Sequence, residues 1–209
     1  MTFVRRLFPV AALNLALIFS GVVLRGQTPA GSLPGASTPH AGGQSLKPRG
    51  PESKGPVPRF GIIWQGKLTR SGLPKNEDGW KWLREQGVKS IVNFRAKNDV
   101  NYAGFGFNNS LWIPMDNGRL PTDAEAETYL AWIQDPANQP VNIQCAEGKD
   151  RTGMMAALAR YAIEGWPLDQ AVSESSLYRK GKPLADERVS WLRDWSKKHS
   201  PGSHRRRQN

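Results

Sequence analysis

Cys145 is the only cysteine in a chain of 209 residues, and it opens the run Gln144-Cys145-Ala146-Glu147-Gly148-Lys149-Asp150-Arg151-Thr152-Gly153. The run follows a short apolar strand pattern and precedes an Ala/Met-rich helix pattern, the place where α/β sheets bind their ligands. A loop there turns successive backbone N–H groups into one concavity beside the positive end of the helix dipole. Ala146, Glu147, Gly148, Lys149, Asp150, Arg151 and Thr152 would thus form an anion cradle. A thiol at its start has a depressed pKa and can attack as the thiolate. Gly148 lets the loop turn tightly against a ligand. Arg151, six residues after the cysteine, offers a planar fork to two oxygens of a phosphate, which a lysine cannot match. Thr152 is placed to donate a hydrogen bond to the sulfur. Nucleophilic attack on a phosphate ester, without metal or cofactor, is the chemistry this set suits. Sulfur transfer from a persulfide on Cys145 also fits a cysteine above an anion loop, but the Gly148/Arg151/Thr152 pattern suits phosphate better. A lone cysteine is ordinarily a buried structural thiol, and this surrounding loop is what argues otherwise.

The elements around the loop alternate in period. Ile62 to Trp64 reads as a strand, with Arg70-Ser71-Gly72-Leu73-Pro74 turning out of it. Asn76 to Gln86 reads as a helix with Glu77 and Asp78 in its first turn and Gly87 past its end. Val88 to Phe94, Leu111 to Met115 and Val141 to Gln144 read as strands. Thr122 and Glu125 form a capping box for a helix through Tyr129, Leu130 and Ile133. Helices are expected over Thr152 to Glu164, from Pro167, and over Ala185 to Trp195. The pattern is that of an α/β class chain, one domain with a central, largely parallel sheet flanked by helices.

Composition divides the chain into four parts. Residues 1–26 place Arg5 and Arg6 before an apolar stretch from Leu7 to Leu24, the pattern of an export signal, either cleaved or kept as a membrane tether. Residues 27–59 hold seven prolines, six glycines and no aromatic, and read as a disordered linker. All eight tryptophans lie beyond it, in a domain over 60–196, followed by a basic tail, 197–209. The net charge of +11 sits entirely in the ends and leaves 60–196 neutral, which is not the footprint of a nucleic-acid binder. Of the three histidines, His40 falls in the linker and His199 and His204 in the tail, so none reads as a metal ligand.

The Cys-x5-Arg loop in the form Cys-Ala-Glu-Gly-Lys-Asp-Arg-Thr-Gly resembles that of the cysteine-dependent protein tyrosine phosphatase superfamily, dual-specificity branch. It is particularly similar to plant and fungal atypical dual-specificity phosphatases and to secreted bacterial tyrosine/lipid phosphatases. Arg70 to Pro74 and Ile91-Val92-Asn93-Phe94-Arg95 look like that branch's early segments. The resemblance implies a hydrolase acting through a cysteinyl phosphate, with Cys145 as nucleophile and Arg151 as phosphate clamp. It also implies an aspartate acid/base on a separate loop. Asp116, after a strand and 29 positions before Cys145, fits that role, with Asp123 as the alternative. The branch usually has histidine before its cysteine, and here Gln144 stands there, leaving open a slowed enzyme or a pseudophosphatase that only binds phosphorylated ligands. Substrates are expected to be phosphoproteins, phosphoinositides or inositol phosphates. Lys149, Arg179, Lys180 and Lys182 could form a basic rim or be ordinary solvated residues. The chain is expected to be a monomer, exported to the periplasm or secreted.

Overall fold

The computed structural model describes residues 47–52, 55–116 and 118–206. The apolar segment 7–24, with its export reading, lies outside them. Among the described residues no helix is long and apolar enough to cross a membrane.

Five strands form one sheet in the order β1-β2-β5-β3-β4. They are β1 (Gly61–Trp64), β2 (Leu68–Gly72), β3 (Ser90–Asn93), β4 (Asn109–Trp112) and β5 (Val141–Cys145). β1 runs antiparallel to β2, and the other pairings are parallel. β5 is central and buried on both faces. Val141, Ile143 and Cys145 face one apolar cluster, with Val92, Phe94, Tyr129 and Ile133. Asn142 and Gln144 alternate to the other side. There Asn142 donates to Ser71 Oγ (2.9 Å) and Gln144 to the Tyr102 hydroxyl (3.3 Å), so neither buried amide is stranded.

The helices start where their caps dictate. α1 (Glu77–Glu85) begins at Asn76, whose side chain accepts from Gly79 N, and buries Trp80 and Leu83 against Ile91, Tyr102 and Phe107. α2 (Asp123–Ile133) carries the complete Thr122/Glu125 capping box. α3 (Asp150–Ala159) continues as one π-helical turn, Arg160–Glu164. α4 (Leu168–Leu177) and α5 (Asp186–Lys198) complete the layer on that face. The Arg160 guanidinium ties these parts together, donating to Glu174 (2.8 and 3.1 Å), Glu164 (2.7 Å) and the Ile63 carbonyl (2.8 Å).

Three readings of the sequence change. Arg70-Ser71-Gly72 is not a turn but the end of β2, next to β5. Its polar residues suit a buried strand because β5 satisfies them, as where Thr69 donates to the Val141 carbonyl and Asn142 Oδ1. The packed chain also begins before Phe60. Val57 is buried, the Pro58 carbonyl accepts from Gly72 N (2.7 Å), and the backbone N–H of Arg49 reaches Glu174 (3.0 Å). Nor is the segment from 197 a free tail as far as it is described. Lys198 ends α5, His204 N donates to the Ala162 carbonyl (2.9 Å), and Arg205 donates to the carbonyls of Ile163 (3.0 Å) and Glu164 (2.8 Å). Those are carbonyls a helix end leaves without partners, so the basic residue is there to cap.

Candidate active site

Parallel pairing of β5 between β2 and β3 delivers Cys145 to the sheet's carboxyl edge, opposite Gly72. The loop that follows is held from outside by its carbonyls. Ala146 O accepts from Leu73 N (3.1 Å), Glu147 O from Arg59 Nη1 (3.0 Å) and Gly148 O from Arg70 Nη2 (3.0 Å). In a planar trans peptide the next N–H points opposite to each carbonyl. Three outward carbonyls therefore turn the N–H groups of Glu147, Gly148 and Lys149 inward. Gly148 N lies 3.2 Å from the Cys145 sulfur. Gly148 adopts φ +72°, and a Cβ there would lie 2.4 Å from Gly72 N, so no other residue fits this corner. Lys149 precedes α3 and offers no side-chain cap, leaving the first-turn N–H groups of the helix to the sulfur and to an anion.

Arg151 folds back from the first turn of α3. Its Nη1 donates to the carbonyls of Met115 (3.0 Å) and Phe94 (3.4 Å), while its Nε and Nη2 have no protein partner among the described residues. A second arginine, Arg188 on α5, joins it. Its side chain is buried, yet among the described residues Nε and Nη1 make no hydrogen bond, Nε has only a 3.9 Å contact with Glu187, and Nη2 only approaches the Asp116 carbonyl at 3.5 Å. Cys145, Glu147, Asp150, Arg151, Ala185, Glu187 and Arg188 line a cavity of about 300 Å³. Beneath the loop, Arg70 is fully buried with its guanidinium 3.6 Å from the Tyr178 ring centre.

These surroundings set the state of the thiol. Burial is the largest single influence on Cys145 and pushes its pKa up. The Thr152 hydroxyl and N–H, the Arg151 charge and the Gly148 N–H together outweigh it and leave the thiol below its ordinary value. The Thr152 hydroxyl is buried and makes no hydrogen bond among the described residues, which leaves it available to the sulfur. Alkylation of Cys145 by iodoacetamide is therefore expected to fall off with acid only below the pH where a free thiol does. A rate–pH midpoint at or above that of free cysteine in the same buffer would contradict this electrostatic reading.

The other residues singled out in the sequence fall as follows. Asp116 is exposed on the loop between β4 and α2. Its Oδ1 accepts from Gly118 N and Arg119 N (both 2.8 Å), and these hydrogen bonds hold its carboxyl below the usual carboxylate range. Asp123, its alternative, pairs with Lys198 (2.6 Å) at the end of α5. Lys149 pairs with Glu147, and Asp150 with Arg179, which fixes the Arg179 segment beside the loop, while Lys180 and Lys182 are exposed. Gln144 lies in the sheet against Tyr102 and makes no contact with the sulfur among its hydrogen bonds. Arg59, Arg70 and Arg188 were not legible as site residues. Each is brought in by a segment remote in sequence, and only Arg70 belonged to a recognised motif.

A parallel strand ending in cysteine, an amide-lined loop and an arginine in the next helical turn define a cysteine-dependent phosphatase fold and site. The family model described as a DSP-PTPase phosphatase fused to NAD+ kinase matches residues 65–194, and the chain belongs to that family. It is 32% identical over 108 residues to the dual specificity protein phosphatase TpbA of Pseudomonas aeruginosa, covering 51% of this chain and 49% of that one. The chain thus spans about half the length of that relative. It is 28% identical over 160 residues to inositol diphosphatase DSP4 of Arabidopsis thaliana, covering 70% and 77% of the two chains. The core catalytic domain of the PP-IP phosphatase SIW14 from S. cerevisiae shares the fold, with a TM-score of 0.57 at 22% identity over 68% of this chain and 87% of that one.

Proposed function

We propose that this chain is a phosphomonoesterase that works through a cysteinyl phosphate, with polyphosphorylated inositols as its preferred substrate class. The observation that carries the reaction is the Cys145 sulfur, held below its ordinary pKa in a cradle of inward N–H groups with the free edge of Arg151 beside it. The thiolate attacks phosphorus while three phosphate oxygens settle on the loop amides and Arg151. The P–O bond to the alcohol breaks, and the departing oxygen takes a proton. Water then attacks the thiophosphate and the thiolate leaves, releasing phosphate.

Asp116 is the group we assign to give and then retake that proton. Its loop borders the site, with the Met115 carbonyl on Arg151 and the Asp116 carbonyl facing Arg188. Its lowered pKa must rise for it to act as an acid, and an anionic phosphate on Arg151 has that sign of effect. Asp116→Asn is expected to slow hydrolysis of an alkyl or inositol phosphate by about 10²–10³-fold. Formation of the thiophosphate from an aryl phosphate, read as the burst of released phenol, should barely change, because that leaving group needs no proton and only the later hydrolysis lacks its base. Equal loss on both would remove Asp116 from this role.

Two features support the substrate class. Among the described residues the cavity wall is mostly polar and charged, with no aromatic ring to sandwich a tyrosine side chain. Arg188 also brings Nε and Nη1, without hydrogen-bond partners among the described residues, into the same cavity as Arg151, which suits a second phosphate on one substrate. The similarity to an enzyme named inositol diphosphatase points the same way. Arg188→Met is expected to raise KM for an inositol polyphosphate about 10-fold or more, the worth of one charge-assisted contact. kcat/KM for a simple aryl phosphate should stay within about twofold by the same reasoning. Equal losses on both substrates would show that Arg188 serves the reacting phosphate or the fold.

The test of the whole reading is phosphate release from an aryl phosphate, a phosphotyrosine peptide, a phosphoinositide and an inositol polyphosphate. Highest kcat/KM on the inositol polyphosphate is the expected result. Preference for the phosphotyrosine peptide would keep the reaction and overturn the substrate class. Release from none of them by folded protein would leave a phosphate-binding pseudoenzyme and direct attention to Gln144.

A further inference from the structure

We propose that Glu127, His199 and His204 form a binding site for a divalent transition-metal ion, with zinc the best match to the donors. None of the three lines the Cys145 cavity, and the site is independent of the proposed reaction.

Glu127 stands on α2, His199 caps the end of α5, and His204 lies five residues further on, where the chain has turned back. Their ligating atoms all lie within 4.8 Å of one another. His204 Nε2 is 2.9 Å from both carboxylate oxygens of Glu127, and His199 Nε2 is 3.9 Å from one of them. Two imidazoles and a carboxylate are a zinc donor set that leaves a position for water. Tetrahedral zinc at its usual bond lengths spaces its donors about 3.3 Å apart, within the range of the separations here.

The fold holds this arrangement from several directions. Tyr161 OH donates to the His199 carbonyl (2.6 Å), and Gln134 Nε2 donates to that of His204 (2.9 Å). Gly202 N and His204 N donate to the carbonyls of Tyr161 and Ala162 (both 2.9 Å). The His199 ring stacks on Trp195 with centroids 4.0 Å apart. The Ser203 hydroxyl lies 3.0 Å from His204 Nδ1 and occupies the outer nitrogen, as second partners of metal-binding histidines do.

An ordinary ion pair accounts for less of this. The His204 contact alone satisfies Glu127, and it gives no reason for a second imidazole, its ring centre 5.0 Å from the first, to turn its Nε2 toward the same carboxylate. Two Nε2 atoms converging on one carboxylate are placed to share a cation with it. A bound ion would fasten the segment after α5 to α2. The sequence alone did not announce this, because His199 and His204 count as tail residues until the chain is seen to turn back on α2.

The test uses the full chain carrying Cys145→Ser, so that no thiolate competes, stripped with EDTA and dialysed. Calorimetric titration with Zn2+ is expected to give one saturable equivalent that is lost in both Glu127→Gln and His204→Ala. Zn2+ at about 100 times its Kd should raise the thermal midpoint by about 5 °C or more in the parent and not in either variant. Glu127→Gln keeps a hydrogen-bonding side chain on a half-exposed helix surface, so a failure to bind there is not a failure to fold. The absence of a saturable equivalent, or one that survives both substitutions, would overturn the proposal.

Discussion

Cys145→Ser is expected to lower phosphate release by about 10⁴-fold or more on every substrate, the scale seen when an enzyme loses its nucleophile. The reason is local. The Gly148 N–H, the Thr152 hydroxyl and the Arg151 charge bring a thiol below its ordinary pKa. A serine hydroxyl starts far above it, and none of these groups is a base that could take its proton. The loop itself should survive, because its shape rests on the carbonyl contacts from Leu73, Arg59 and Arg70 and on the glycine corner at Gly148. The variant is therefore expected to bind phosphate esters about as well as the parent while turning none over. Calorimetric binding of an inositol polyphosphate beside a phosphate-release assay checks both halves. Residual activity within about tenfold of the parent would place the nucleophile elsewhere.

Arg151→Lys should cost about 10³-fold in kcat/KM, although it conserves the charge. The guanidinium is fixed by the Met115 and Phe94 carbonyls through Nη1, so that Nε and Nη2 can meet two phosphate oxygens together. A lysine ammonium cannot hold those carbonyls and present a two-pronged edge as well. Losing one charge-assisted hydrogen bond and the alignment of the other amounts to about 4 kcal/mol at the transition state, which gives that factor. Because a positive charge remains, the rate–pH midpoint for Cys145 alkylation should move little in Arg151→Lys and rise clearly in Arg151→Met. A lysine variant with near-parental kcat/KM would show that charge alone, without the planar fork, is sufficient.

The site was legible in the sequence to the extent that it is local. Cys145, Gly148, Arg151 and Thr152 lie within eight positions, and their order, after a strand and before a helix, dictates an amide-lined loop whatever surrounds it. The capping box at Thr122 and the Asn76 cap were equally local and mark real helix starts. β2 was not legible, because Thr69, Arg70 and Ser71 are polar residues whose partners come from β5 and the loop beyond it, some 70 positions away. Arg188 was missed for a related reason. In Asp186-Glu187-Arg188 it reads as a solvated helix start, and only the docking of α5 buries it beside Arg151. Arg59 and Arg205 sat in stretches judged by proline content or charge, and each uses its guanidinium on a backbone carbonyl that composition does not register.

The central claim, a covalent phosphate on Cys145, is tested most directly by acid-quenching the full chain during turnover of a 32P-labelled substrate, with EDTA present, and mapping the label. The expected result is label on the Cys145 peptide, absent in Cys145→Ser and raised in Asp116→Asn on an aryl phosphate, where formation proceeds but hydrolysis lacks its base. Rapid phosphate release with no label on Cys145 at any quench time, or label on another residue that persists in Cys145→Ser, would contradict it.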